Sequence, residues 1–473
     1  MMAIEESVPT SDLRARFSAA MSRMYRTEVP AYGTLVELVG DINAATLRDD
    51  PELASELTAT DGVDRLSEER HGAIRLGTGE ELATLRRVFA VMGMYPVGYY
   101  DLGVAGIPVH STAFRPIEPA ALAANPFRVF TSLLRLERVD DPALRAEAEA
   151  ILARRAIFTD EALRLLQRAE ADGGLGEADA AGFIDAVLET FRWHPRACVE
   201  RETYDRLHDS HRLIADVVSF RGPHINHLTP RTLDIDAAQA AMPARGITPK
   251  AVIEGPPKRR CPILLRQTSF KALEEPVGFP DGQGGTVEGH HSARFGEIEQ
   301  RGAALTPAGR ARYDELLARA RAGVAPAADG SNAAEYVAHL EAVFAAFPDD
   351  WATLRAEGLA YFHYSLTDAG EAAAANGGRE GELEALIDQG LIRFDPIVYE
   401  DFLPVSAAGI FQSNLGDGSG PGVAAEGDRG AFEQALGASP ADEFALYAER
   451  EAGSIRACLE RLQPSRRQGR STA

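Results

Sequence analysis

The chain has 473 residues, 45% of them hydrophobic, which supports a large core and excludes general disorder. Its 49 basic and 71 acidic side chains give a net charge of −22, which argues against nucleic acid or an anionic membrane as a general partner but leaves room for a locally basic pocket that takes a small anion. The three cysteines, Cys198, Cys261 and Cys458, are scattered with no CxxC pair, so neither a disulfide framework nor a thiolate zinc site is expected.

At the N-terminus, Met-Met-Ala-Ile-Glu-Glu-Ser lacks a basic region followed by an apolar stretch. No apolar run approaches the roughly 20 residues of a membrane span. A soluble cytoplasmic protein is the expectation. Residues 11–48 read as helices, because Leu13, Phe17, Met21 and Met24 recur at helical spacing. A strand is predicted at 71–77, a helix from Gly79 to Met92, and strands at 95–102, 108–116 and 127–139, in the order β-α-β-β-β. Residues 142–217 are rich in Ala, Arg, Glu and Leu with helical periodicity, and read as a helical insertion placed outside the sheet. The strand pattern then returns at 225–229. A helix follows at 234–244, opened by Asp234 as a cap, with strands at 251–254, 263–272 and 292–300. That is β-α-β-β-β again. Residues 306–376 read as mostly helical, starting at Thr306-Pro307, and 391–399 as a strand. Residues 415–430 are Gly-, Ser- and Asp-rich and read as a loop, and the basic tail from Pro464 reads as frayed.

The two halves echo each other. His71 is followed four residues later by Arg75, and His227 four residues later by Arg231. Side chains two and four apart on a strand share a face, so each half presents a His and an Arg on one side. The expected fold is therefore α+β: a duplicated β-α-β-β-β curved sheet around a metal, with large helical insertions. The expected organisation is one catalytic unit over 1–473, with modules at 71–139 and 224–300, helical segments at 142–217 and 306–376, and a strand and loop at 391–415. Three strand-like segments, around His71, His227 and Phe295-Gly-Glu297-Ile-Glu-Gln300, supply two imidazoles and one carboxylate. That donor set leaves one face of a metal open, as a non-haem Fe(II) oxygenase requires.

Several longer runs carry a specific resemblance. Arg70-His-Gly-Ala-Ile-Arg75, Met92-Gly-Met-Tyr-Pro-Val-Gly-Tyr-Tyr-Asp101, Pro108-Val-His-Ser-Thr-Ala-Phe-Arg115, Arg221-Gly-Pro-His-Ile-Asn-His227 and Phe402-Leu-Pro-Val-Ser-Ala-Ala-Gly409 resemble the 2-oxoadipate dioxygenase/decarboxylase (hydroxyglutarate synthase) family of the vicinal oxygen chelate superfamily. The resemblance spans most of residues 15–415. It implies conversion of 2-oxoadipate and O2 to D-2-hydroxyglutarate and CO2, with Fe(II), in lysine catabolism. It also implies metal ligands at His71, His227 and Glu297, which meet the substrate through the metal. A substrate-binding arginine falls on Arg75, and loop contacts to substrate fall on Val405 and Ser406. Residues 281–290 read as an acidic loop inserted relative to the family.

Beside the resemblance, Arg75 lies about 13 Å along the strand from His71. A guanidinium there suits the far carboxylate of a diacid whose keto-acid end sits on the metal. Its alternative is a structural ion pair, and Arg231 is given that structural role. His224 reads as a structural or ligand-supporting histidine, His110 as a strand residue of the first half that either lines the pocket or has an ordinary structural place, and His290 and His291 as exposed. His208 and His211 have the i, i+3 spacing of a metal pair but no evident third ligand. Glu137 is placed where Glu297 stands in the other half. Gln267 and Ser269 alternate on a strand, where they orient a ligand, bond the substrate or simply face the mouth of the sheet. Competing functions are a metal-dependent isomerase or lyase of the same superfamily and a non-catalytic binder of small acids.

Overall fold

The computed structural model describes residues 7–463 apart from 52, 55–56, 58–65, 67, 104–105, 328 and 404–427. Among these residues the chain builds one seven-stranded sheet and two two-stranded sheets. The first half supplies β1 (Glu69–Leu76), β2 (Tyr95–Asp101), β3 (Val109–Arg115) and β4 (Arg128–Leu134). The second supplies β5 (His227–Pro230), β6 (Leu265–Ser269), β7 (Glu274–Pro280), β8 (Thr286–Ser292) and β9 (Phe295–Arg301). In the large sheet the order is β2-β3-β4-β1-β5-β9-β6.

The duplication shows in the pairing. β1 runs parallel to β4, and β5 runs parallel to β9. The halves meet where β1 and β5 pair antiparallel, with His71 opposite Thr229 and Ala73 opposite His227. The outer strand of the second half is vestigial. Residues 249–254, predicted to contain a strand, contribute only the bridges Pro249–Phe270 and Glu254–Gln267 beside β6. Pro249, Pro256 and Pro257 cannot donate to a ladder, and Gly255 turns the chain at φ 105°. The sheet curls into a half-barrel, the duplicated architecture expected from the sequence.

Register divides the side chains of the large sheet between two faces. Ile74, Leu76, Phe114, Val129, Leu133, Leu228 and Ile298 pack on the outer helices Thr10–Glu28, Pro30–Asp49 and Gly79–Val91. The last of these helices starts cleanly because Thr78 and Glu81 form a capping box, and it turns Leu82, Leu85, Val88 and Phe89 inward. The inner face carries Ala73, Ala113, Phe130 and Leu134 among polar residues. It is covered by the helices Pro142–Leu152, Arg201–Ser210 and Arg212–Val218, by the β7–β8 hairpin and by Phe402.

This cover corrects two expectations. The insertion at 142–217 does not lie wholly outside the sheet, because its last helices close the inner face. Residues 281–290 are not simply a loop: they form the turn and second strand of a hairpin in which Glu274 pairs with Ser292. The predicted strand at 127–139 ends at Leu134 and passes into a short 3-10 turn. The region 306–376 includes a strand, β10 (Phe362–Leu366), paired with β11 (Ile392–Pro396) and covered by the helix Glu443–Leu462.

Candidate metal centre

The two central strands and β9 bring the three predicted donors together. His71 sits on β1. His227 opens β5 and pairs with Phe295 of β9, which places Glu297 two residues further along on the same face. All three side chains are fully buried, and one donor atom from each lies within 4.8 Å of the others. His71 Nε2 is 3.1 Å from Glu297 Oε1. The two imidazole rings stand at 90°, 5.5 Å apart. Phe295 stacks on His227 at 4.7 Å, and Phe402 meets the His71 ring edge-on at 4.9 Å.

The donors suit a cation. Both ring nitrogens of His227 and Oε2 of Glu297 are buried without a hydrogen-bond partner among the described residues. Leaving such groups unpaired costs about 1–3 kcal/mol each, and a metal ion would satisfy one nitrogen of His227 together with Glu297 Oε2. Burial disfavours charge on His71, yet Glu299 and Glu297 outweigh it and raise its pKa. Burial raises the Glu297 carboxyl, opposed by His71. Burial, reinforced by the charges of His71 and Arg75, presses His227 well below its ordinary value. Gln267 Nε2 donates to Glu297 Oε1 at 2.6 Å, and the Thr229 hydroxyl donates to the same oxygen at 3.2 Å. Both leave Oε2 available.

A family model described as 2-oxoadipate dioxygenase/decarboxylase (HGLS) matches residues 17–414. The chain is 59% identical over 461 residues to the 2-oxoadipate dioxygenase/decarboxylase of Pseudomonas putida, covering 98% of this chain and 99% of that protein. The chain belongs to the 2-oxoadipate dioxygenase/decarboxylase family. The Escherichia coli member is 55% identical over 452 residues, 96% of this chain and 99% of that protein. The hydroxyglutarate synthase of Pseudomonas putida, solved in complex with 2-oxoadipate, superposes with a TM-score of 0.90 at 58% identity, over 97% of this chain and 100% of that one. The chain is thus an enzyme of this family, and among its described residues no helix is long and apolar enough to cross a membrane.

Arg75 shares the inner face with His71 and is buried. Its Nη1 donates to Asp216 Oδ2 at 2.7 Å. Asp216 comes from the helix Arg212–Val218, and its Oδ1 lies 2.9 Å from His291 Nε2 and 3.4 Å from His224 Nε2. His291 is therefore not exposed as expected. It is the inward residue of β8, bonded through Nδ1 to the Tyr204 hydroxyl at 2.9 Å, while its neighbour His290 is exposed. Asp216, His224 and His291 form a second set of donors within 4.8 Å of one another. Its atoms bond to each other and to Arg75, so the charges of Arg75 and Asp216 offset each other without a further cation. Burial raises the Asp216 carboxyl, but His224, His291 and Arg75 outweigh that and hold it well below the usual range. Burial lowers His224 to about 3, against the opposing charge of Asp216.

The remaining predicted positions separate clearly. His110 does not line the inner face. Register pairs it with Leu133, and its ring packs 4.7 Å from Phe432 on the outer side. Glu137 is not the counterpart of Glu297. It is exposed in the 3-10 turn beside Arg135, and the pairings of His71 with Arg128 and of His227 with Phe295 make Phe130 the matching position. Arg231 is buried, and its backbone forms an isolated parallel β-bridge with Glu299. His211 caps a helix by accepting from Leu213 N at 3.1 Å, and His208 is exposed. Gln267 bonds the Glu297 carboxylate, while the Ser269 hydroxyl, in register with Glu297, is buried and unpartnered among the described residues. Val405 and Ser406 lie outside the described residues.

Sequence reasoning missed Thr229, Glu299, Asp216 and His291. Period-two alternation from His227 and Glu297 puts Thr229 and Glu299 on the ligand face and could have found them. No local signal marked Asp216 or His291.

Proposed function

We propose that the chain converts 2-oxoadipate and O2 to D-2-hydroxyglutarate and CO2 in the cytoplasm, as a step of lysine catabolism, using Fe(II) bound by His71, His227 and Glu297. The observation that carries this reading is the buried pair of imidazoles and one carboxylate, with unpartnered atoms facing one another. Bound iron would supply a chelation point for the 2-oxo acid and the electrons for O2 reduction. The stoichiometry balances: a six-carbon diacid and O2 give a five-carbon hydroxy diacid and CO2, with both oxygen atoms retained in products.

The chain's own residues do the rest. His71 and His227 present neutral nitrogens and Glu297 presents Oε2. Gln267 and Thr229 hold the other oxygen of Glu297. Ala73, Phe130 and Phe402 add apolar surface beside the donors, which helps exclude water from the reacting centre. Arg75 takes the far carboxylate through its planar fork, one donor of which is on Asp216. Val405 and Ser406 are assigned contacts with the same substrate. The acidic surface and the free cysteines support a cytoplasmic setting.

The deciding experiment is anaerobic reconstitution with Fe(II), followed by O2 and 2-oxoadipate, with oxygen consumption and product followed together. Equimolar O2 uptake, CO2 and D-2-hydroxyglutarate are expected. Conversion of the acid without O2 uptake, or its recovery unchanged, would refute the reading.

A further inference from the structure

Two residues beyond Glu297, strand β9 buries a second carboxylate, Glu299, on the same face. A buried carboxylate is costly unless its charge is met on several sides. Here Arg301 clasps it with two bonds, Nε to Oε1 at 2.5 Å and Nη2 to Oε2 at 2.9 Å. Arg70 Nε stands 3.7 Å from Oε1. The remaining approach is taken by His71, whose Nδ1 lies 2.9 Å from Oε2. The oxygen sits off the ring's N–H direction, so the contact is an ion–dipole one at hydrogen-bond distance.

The two ligand histidines are therefore not equivalent. His227 has no hydrogen-bond partner on either nitrogen among the described residues and is held by stacking on Phe295. His71 has an anion at Nδ1, on the far side of the ring from the nitrogen that faces Glu297. A carboxylate there favours the tautomer with the proton on Nδ1 and the lone pair on Nε2, and it makes that lone pair a stronger donor. Arg301 extends the arrangement. Its Nη1 donates to the carbonyls of Tyr399 at 2.8 Å and Asp401 at 3.0 Å, so the clasp that holds Glu299 also holds the backbone of 399–401.

We propose that Glu299, fixed by Arg301, is a positioning residue of the metal centre that sets the tautomer and donor strength of His71. The proposal rests on the reading of His71, His227 and Glu297 as metal ligands.

The test is anaerobic Fe(II) titration against a competing chelator in Glu299→Gln and Glu299→Asp. Glu299→Gln keeps the shape and removes the charge. Glu299→Asp keeps the charge for Arg301 but withdraws it from His71, so it decides the matter if the glutamine variant does not fold. Both are expected to weaken Fe(II) binding, Glu299→Gln by about 10- to 100-fold and Glu299→Asp by less. Tyr447→Phe serves as the control for disturbance of the same buried network. It removes the hydroxyl that donates to Asp401 at 2.6 Å without touching Glu299, and its Fe(II) affinity is expected to match the wild type. Wild-type affinity in a folded glutamine or aspartate variant would overturn the proposal, as would an equal loss in Tyr447→Phe. Failure of the functional reading shows elsewhere: His227→Ala that retains iron refutes the ligand set, and iron-loaded wild type that ignores 2-oxoadipate refutes the reaction.

Discussion

Replacing Arg75 by methionine tests the substrate assignment most directly, because the structure lets its two effects be separated. The first effect is on the diacid. A hydrogen bond from a guanidinium to a carboxylate contributes about 1.5–3 kcal/mol, so losing it lowers kcat/KM by about 10- to 150-fold. 2-Oxohexanoate has the same chain length and the same 2-oxo acid end but no far carboxylate, so its kcat/KM is expected to change little. The second effect is on the fold. Arg75 Nη1 and Asp216 Oδ2 are 2.7 Å apart and both side chains are buried. Removing one partner of such a pair costs about 3–5 kcal/mol. The lower end applies, because Asp216 keeps His291 at 2.9 Å. Adding Asp216→Asn removes the stranded charge and should return part of the stability without restoring the diacid preference. The assay is steady-state kinetics with both acids on iron-loaded protein, alongside urea melts. Equal losses for both acids, or no loss for either, would refute the role given to Arg75.

Glu297→Ala is expected to bind less than a tenth of the wild-type iron at equal free Fe(II), measured by metal analysis after desalting; near-full occupancy would remove it from the ligand set. Gly296→Ala should weaken iron binding although it touches no ligand. Its Cβ would lie 2.4 Å from Phe270 and 2.9 Å from Tyr32, and overpacking of about 1–3 kcal/mol pushes β9 and Glu297 inward; an unchanged melting temperature with full iron content would contradict this. Stability should also fall on acidification. Burial lowers His110 to about 4 from an unfolded value of about 6.5, so the unfolded chain takes the proton first. Its contribution is intact above pH 6.5 and declines by up to about 1.4 kcal/mol per pH unit as pH falls from there toward 4. His110→Phe, between Phe432 and Tyr99, should flatten that limb in pH-dependent urea melts, and an unaltered slope would show that the histidine is not its source.

Much of the centre was legible in the sequence because strands expose a simple code. Alternation puts His71 with Arg75, His227 with Thr229, and Glu297 with Glu299 on common faces whatever the rest of the chain does. The repeated His-x-x-x-Arg spacing announced two halves before any pairing was known. The same code misled where chain continuity was assumed to extend a strand. Glu137 mirrors Glu297 by sequence spacing, but β4 stops at Leu134 and register matches Phe130 instead. The strand expected at 251–254 failed because the flanking prolines remove ladder donors.

What tertiary structure alone decided is which charges meet. Arg75 and Asp216 are 141 residues apart, on a strand and on a helix whose periodicity says only that it has a buried side. His291 reads as an exposed hairpin histidine until β8 folds over the inner face. Local spacing fixes which way a side chain leaves its own backbone. The partner that neutralises it is chosen by the long-range packing that expels water from between them, and no local pattern encodes that choice.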